Sequence, residues 1–213
     1  VIANDMQLWF DASLSTNVKL INTNKVDTWY DISGYKNHLT SRYTGFEPQY
    51  VTADQGGKNT IYFEEWSPSG VRGKPLFRDS LTQSSLSKPF SIYTVFKWDQ
   101  SSYNRDLINM GASKLYGENN GIFRMYAGSW LYSEKYIIPN NEYMLAVLEY
   151  NAQSSNMFLN KYFASVQHNT GGALKFEKLH LGGTNDTGTD TPKIRFAEII
   201  VIDKQLVTAN RKQ

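Results

Sequence analysis

Leu8-Trp9-Phe10-Asp11-Ala12-Ser13 and, further on, Val26-x-x-Trp29-x-Asp31-x-Ser33-Gly34-x-x-Asn37 decide how this chain folds. Trp29 alternates with Asp27 and Asp31 along one strand face, and a tryptophan in that setting fills the core of a sandwich. Asp31 and Ser33, just ahead of Gly34, offer side-chain oxygens to a turn that Asn37 closes. Asp11, followed by Ala12 and Ser13, reads as a strand-end carboxylate that accepts backbone hydrogen bonds. Trp9 belongs to the same structural motif.

The same strand reading extends outward. Aromatic residues make up 14% of the chain, tyrosine is the commonest of them, and helix-period apolar stripes are nearly absent, so strands are the building unit. Strands are expected at Met6–Phe10, Val26–Tyr30, Asn59–Glu64, Phe90–Trp98, Asp106–Met110, Gly121–Ala127, Trp130–Lys135, Tyr143–Tyr150, Asn156–Asn160, Lys178–Gly182 and Ile194–Ile202, each bounded by turn-forming residues. Phe90–Trp98, Tyr143–Tyr150 and Ile194–Ile202 do not alternate cleanly, as expected of strands covered on both faces or central in a sandwich. Glu198 lies inside the last of them and needs a partner. Arg195, three residues away, falls on the opposite pleat face, which favours a cross-strand partner for a buried Glu198. Asn160-Lys161 between apolar flanks suggests a two-residue hairpin. Only Thr208–Gln213, with Thr208 as N-cap, looks helical.

The chain has 213 residues with 40% hydrophobic content, which suits one large all-β domain with no internal repeat or linker. Its 22 basic and 20 acidic side chains leave a formal charge of +2, and the basic residues are scattered, so composition gives no argument for nucleic acid or an anionic membrane. With no cysteine, a disulfide framework and a thiolate metal site are excluded, while the compartment stays open. No apolar run approaches the ~20 residues that span a bilayer, and no leader is visible. Starting at Val1 and stopping at Arg211-Lys212-Gln213, the chain reads as a piece of a longer protein.

The two opening motifs are followed by Gly57-Lys58-Asn59-Thr60-Ile61-Tyr62-Phe63, by Phe90–Lys97, by Leu179-His180-Leu181-Gly182-Gly183 and by Ile194–Leu206. In that order the chain resembles the concanavalin A-like, laminin-G-type jelly-roll domains of the lectin and glucanase superfamily, found in phage tail proteins and bacterial surface proteins. The resemblance implies an all-β, two-sheet antiparallel jelly-roll sandwich with at most a short C-terminal helix, forming a single domain over residues 1–213. It does not fix function, because the architecture hosts lectins, carbohydrate-binding modules, adhesins, glycosidases and lyases.

Catalysis is not expected. Sandwich glycosidases of the laminarinase type carry E-x-D-x-x-E on one strand, and no two of the 20 acidic residues here stand at i and i+2. Glu64 and Glu65 are adjacent and face opposite ways on a strand, whereas Asp27 and Asp31 share a face but lie roughly 13 Å apart. Carboxylates from different strands remain free to converge. His38, His168 and His180 show no metal spacing and no nucleophile elbow accompanies them.

A glycan site needs aromatic faces and a few planar polar groups. Three loops offer that mix: Glu65–Gly73, with Trp66 and Arg72; Trp98–Arg105, with Tyr103 and Asn104; and Tyr116–Asn120, with Tyr116 and Asn119, near Tyr126, Trp130 and Tyr132. Asp186 and Asp190 in Asn185–Asp190 are candidate calcium ligands, calcium being common in relatives of the fold, although the segment lacks an EF-hand's bidentate glutamate and spacing. The expected function is a non-catalytic, lectin-like module of an extracellular or virion protein, such as a phage tail component that attaches to host cell-surface or cell-wall polysaccharide. Other domains of the parent protein and a homo-oligomer are further candidate partners. The alternatives are a structural assembly module that binds no sugar and a divergent glycosidase or lyase.

Overall fold

The computed structural model describes residues 5–42, 44–64, 75–83, 86–87, 89–99, 105–118, 121–133, 141–151, 154–160, 162–168 (backbone only), 175–183 and 191–204. They form two antiparallel sheets. The first runs, in spatial order, β16 (Tyr162–His168), β15 (Ser154–Leu159), β14 (Tyr143–Tyr150), β9 (Phe90–Trp98), β18 (Ile194–Ile202), β6 (Lys58–Phe63) and β5 (Gln49–Gln55), with β1 (Met6–Asp11) also paired to β18. The second runs β13 (Trp130–Tyr132), β12 (Phe123–Tyr126), β11 (Lys114–Gly117), β10 (Arg105–Gly111), β17 (Lys175–Leu181), β7 (Leu76–Arg78), β4 (Leu39–Thr40), β3 (Val26–Trp29) and β2 (Val18–Leu20), with β8 (Leu86–Ser87) also on β17. A single 3-10 turn spans Ser15–Asn17, and no α-helix occurs among the described residues. The helix expected at Thr208–Gln213 lies outside them.

The core lies between the inner faces. On β9, Phe90, Ile92, Thr94, Phe96 and Trp98 point inward and are buried, while Tyr93, Val95 and Lys97 face outward and stay partly exposed. The three unalternating strands are therefore central, not covered on both sides: β14, β9 and β18 lie side by side. Together with β15 and β1 on either side they carry outward apolar residues in direct register, Phe158, Val147, Tyr93, Ile200 and Trp9, each half-buried. Aromatic contacts tie the sheets together. Phe96 of the first sheet meets Phe123 of the second at 5.5 Å between centroids, Trp98 meets Phe123 at 5.7 Å, and Phe90 meets Phe176 at 5.8 Å. Each such pair adds about 0.5–1.5 kcal/mol beyond its area burial. Gly182, at φ +73°, lets the chain pass Phe63, which a Cβ there would meet at 2.2 Å. Leu159 pairs directly with Tyr162 and Asn160 takes φ +53°, the geometry of a two-residue hairpin.

The opening motifs meet at one corner. Trp29 is fully buried and packs on Phe10 at 5.5 Å. Asp31 Oδ1 accepts the Trp9 and Ser33 amides, both at 3.0 Å, and its Oδ2 accepts the Asn37 amide at 2.9 Å. Asn37 in turn accepts the Thr82 amide at 2.6 Å and donates to Gln83 at 2.6 Å. Ser33 Oγ donates to the Gln7 carbonyl at 3.2 Å. A buried carboxylate thus substitutes for ladder partners where the chain leaves the second sheet.

Glu198 departs from the sequence expectation. Between Phe196 and Glu198 the pairing with β9 slips by one residue, a β-bulge at Ala197. The bulge resets the alternation, so Arg195 and Glu198 both face outward and Glu198 is half-buried, not buried. Its partner is cross-strand: the Trp9 indole Nε1–H donates to Glu198 Oε1 at 2.9 Å.

Candidate functional site

Strands β11, β12 and β13 form one end of the second sheet, and their sequence alternates strictly. Leu115, Phe123, Met125 and Leu131 point into the core, while Lys114, Tyr116, Arg124, Tyr126, Trp130 and Tyr132 point outward. Registry puts Tyr116, Arg124 and Tyr132 in one cross-strand row and Lys114, Tyr126 and Trp130 in the next. Trp130 is 37% exposed, with Tyr116 at 5.7 Å and Tyr126 at 5.1 Å from its ring, both edge-on near 60°. The two tyrosines hold the indole in place and leave part of its surface to solvent. Arg124 lies over the Tyr132 ring at 4.5 Å and pairs with Glu118, and Lys114 pairs with Asp106 at 2.8 Å. The result is an aromatic platform rimmed by planar and charged polar groups, suited to stacking against the apolar faces of a sugar while fixing hydroxyls at its edge.

Two further polar groups lie on the outer face of the first sheet. A cavity of about 480 Å³ is lined by Asp11, Ser13, Gln55, Lys58, Asn59 and Glu198, among others. Asp11 and Glu198 are register partners on β1 and β18, so their Cα atoms are roughly 5 Å apart. One oxygen of each is committed, Asp11 Oδ1 to the Ser13 amide at 2.8 Å and Glu198 Oε1 to Trp9. The second group is an ionic network in which Arg195 bridges Asp54 and Asp99, each at 3.1 Å, with Lys97 3.9 Å from both carboxylates. Burial pushes the Asp54 pKa up, but hydrogen bonds from Tyr143, Thr60 and Arg195 outweigh it and hold the carboxyl below the ordinary aspartate range. Burial and the Asp54 contact push the Tyr143 hydroxyl well up.

Of the ligand residues expected from sequence, the structure brings Tyr116 and Trp130 together. It corrects the setting of Tyr116, which sits in β11 and not in a loop, while Trp130 opens β13 where the sequence placed the start of a strand. Trp66, Arg72, Tyr103, Asn104 and Asn119 lie outside the described residues, as do the calcium candidates Asp186 and Asp190. Among the described residues no group of three or more His, Asp or Glu side chains is placed to hold a metal. Arg124 and Lys114 escaped the sequence reading. Their signal was the alternation Phe123-Arg124-Met125-Tyr126, which places a cation beside an outward tyrosine.

No protein-family model matches the chain, and no curated protein matches it in sequence. Solved structures do match in fold. Trypanosoma rangeli sialidase in complex with sialic acid is 13% identical with a TM-score of 0.67, the match covering 97% of this chain and 32% of the sialidase. Botulinum neurotoxin type C, whose cell entry depends on interaction with two ganglioside molecules, is 11% identical with a TM-score of 0.54 over 98% of this chain and 50% of that one. The binding domain of botulinum neurotoxin DC in complex with SialylT is 9% identical with a TM-score of 0.57, again over 98% and 50%. The chain thus spans about a third of the sialidase and half of the neurotoxin chains, and the likeness is one of fold.

Proposed function

We propose that the chain is a non-catalytic, lectin-like carbohydrate-binding module, a single domain of the concanavalin A-like, laminin-G type. The observation that carries this reading is the platform of Tyr116, Tyr126 and Trp130 with Arg124 and Lys114 at its rim. Support also comes from fold neighbours solved with sialic acid or SialylT. The module belongs to an extracellular or virion protein, and attachment of a phage tail to host surface polysaccharide is the setting we favour. Binding of the purified domain to a glycan array that includes bacterial cell-wall polysaccharides tests it. Trp130→Ala removes about 1–1.5 kcal/mol of stacking and weakens specific binding roughly tenfold. An array without specific signal, or an unchanged Trp130→Ala, overturns the reading.

Two observations favour other readings. The Asp11 and Glu198 side chains stand at directly opposed register positions and line one polar cavity, a pair of carboxylates open to acid–base use. Release of reducing ends from the same polysaccharides, abolished in Glu198→Gln, would make the chain an enzyme. The half-buried apolar row Phe158, Val147, Tyr93, Ile200 and Trp9 fits an assembly module instead, a role left standing if neither binding nor hydrolysis is found.

A further inference from the structure

A second cavity, of about 360 Å³, opens on the second sheet where the turn carrying Lys36 meets β4 and β7, and is lined by Lys36, His38, Thr40, Arg42, Phe77, Arg78, Asp79 and Ser80. Among the described lining residues three permanent cations, Lys36, Arg42 and Arg78, accompany a single carboxylate, and that carboxylate is already engaged: Asp79 pairs with Arg42 and takes His180 Nε2 at 3.0 Å. Lys36 has no partner among the described residues. Arg78 donates through Nη2 to Thr82 at 2.9 Å, but its Nε–H is buried with no partner among them. The Asp31 amide donates to His38 Nδ1 at 3.1 Å, leaving Nε2 to carry the proton, so the imidazole adds a donor. Burial lowers the His38 pKa, Arg78 and Lys36 lower it further, and Asp31 opposes them. The cavity therefore has an excess of donors and positive charge that a neutral hydroxyl would not neutralise and an oxyanion would.

Registry relates this cavity to the aromatic platform. Thr40 and Phe77 continue through His180, Asn109, Lys114 and Tyr126 to Trp130 in one outward cross-strand row. Phe77 and Trp130 are five strand spacings apart, roughly 24 Å, and the intervening His180 and Asn109 are buried, so the two sites are separate. We infer that the cavity between β4 and β7 is a second binding site that takes an anionic saccharide, a sugar carrying a carboxylate or sulfate group, through Lys36, Arg42 and Arg78. The saccharide scaffold rests on the sugar-binding reading; the anion rests on the cavity.

The test is NMR of the 15N-arginine-labelled chain, following the Arg78 Nε–H signal during titration with glucuronic acid, sialyllactose, a heparin-derived disaccharide, lactose and inorganic sulfate. The acidic saccharides are expected to shift it saturably, more tightly than sulfate and less tightly as ionic strength rises, with lactose silent. Lys36→Asn, which suits φ +58°, and Arg42→Gln should each weaken binding about tenfold. No saturable shift with any acidic saccharide overturns the inference, and sulfate binding as tightly as the saccharides overturns the saccharide assignment. Trp130→Ala separates the two sites: glucuronic acid still shifting Arg78 in that variant keeps the cavity even if the platform binds nothing.

Discussion

Asp54 shows how much one side chain can hold on an outer sheet face. It accepts from Arg195 at 3.1 Å, from Thr60 at 2.8 Å and from Tyr143, joining β5 to β18, β6 and β14. Since its folded pKa is depressed, the stability it contributes is fully present above the ordinary aspartate value of about 3.9 and is lost as pH falls through the folded value below that. Urea unfolding at a series of pH values should therefore show an acid limb that Asp54→Asn flattens, with roughly 1–3 kcal/mol lost at neutral pH. An acid limb unchanged in the variant would assign it to other carboxylates. Arg195 and Tyr143 were not legible as partners in the sequence, because they lie 141 and 89 residues from Asp54 and only the folded sheet makes them neighbours. The Asp31 corner was legible, since Ser33 and Asn37 lie within six residues of it and the competition of short polar side chains for nearby backbone is a local matter.

The elements that could be read from sequence are those whose side chains are apolar and numerous. Phe90–Trp98, Tyr143–Tyr150 and Ile194–Ile202 fall where the sequence placed them. Gln49–Gln55 and Lys114–Gly117 were missed. The first is a sheet-edge strand rich in polar residues, and the second runs into Gly117-Glu118-Asn119-Asn120, whose turn-forming character outweighs two apolar positions. The bulge at Ala197 is invisible to any period-2 count, yet it decides where Glu198 points. Deleting Ala197 removes the extra residue and leaves a regular strand in which Phe196 and Ile199 still point inward and Glu198 still points outward. That variant should therefore keep cooperative thermal unfolding, as should Ala197→Gly; loss of cooperativity in the deletion variant alone would mean that β18 needs the extra residue to pair with both β9 and β1.

Across the whole molecule, the two sheets divide the work between them. The second presents the aromatic platform at one end and the cationic cavity near the other, and the first carries the Asp11 and Glu198 cavity beside an apolar row. Long-range pairing such as Asp11 with Glu198 holds this arrangement together, so folding must await contacts between distant parts of the chain. A chain cut before Ile194 lacks the strand that joins β9 to β6 and β1. Such a truncation should aggregate when expressed alone and become soluble when a peptide of residues 194–204 is supplied in trans, as size-exclusion chromatography would show.

The position of β18 also bears on biosynthesis. Of the described strands it is the last to leave the ribosome, yet it is the seam of the first sheet. Until residues 194–202 emerge, the nascent chain carries two half-sheets whose inner edges are unpaired, the state in which strands pair with the wrong neighbour. Those two edges therefore stay open until a single nine-residue segment arrives to pair with both.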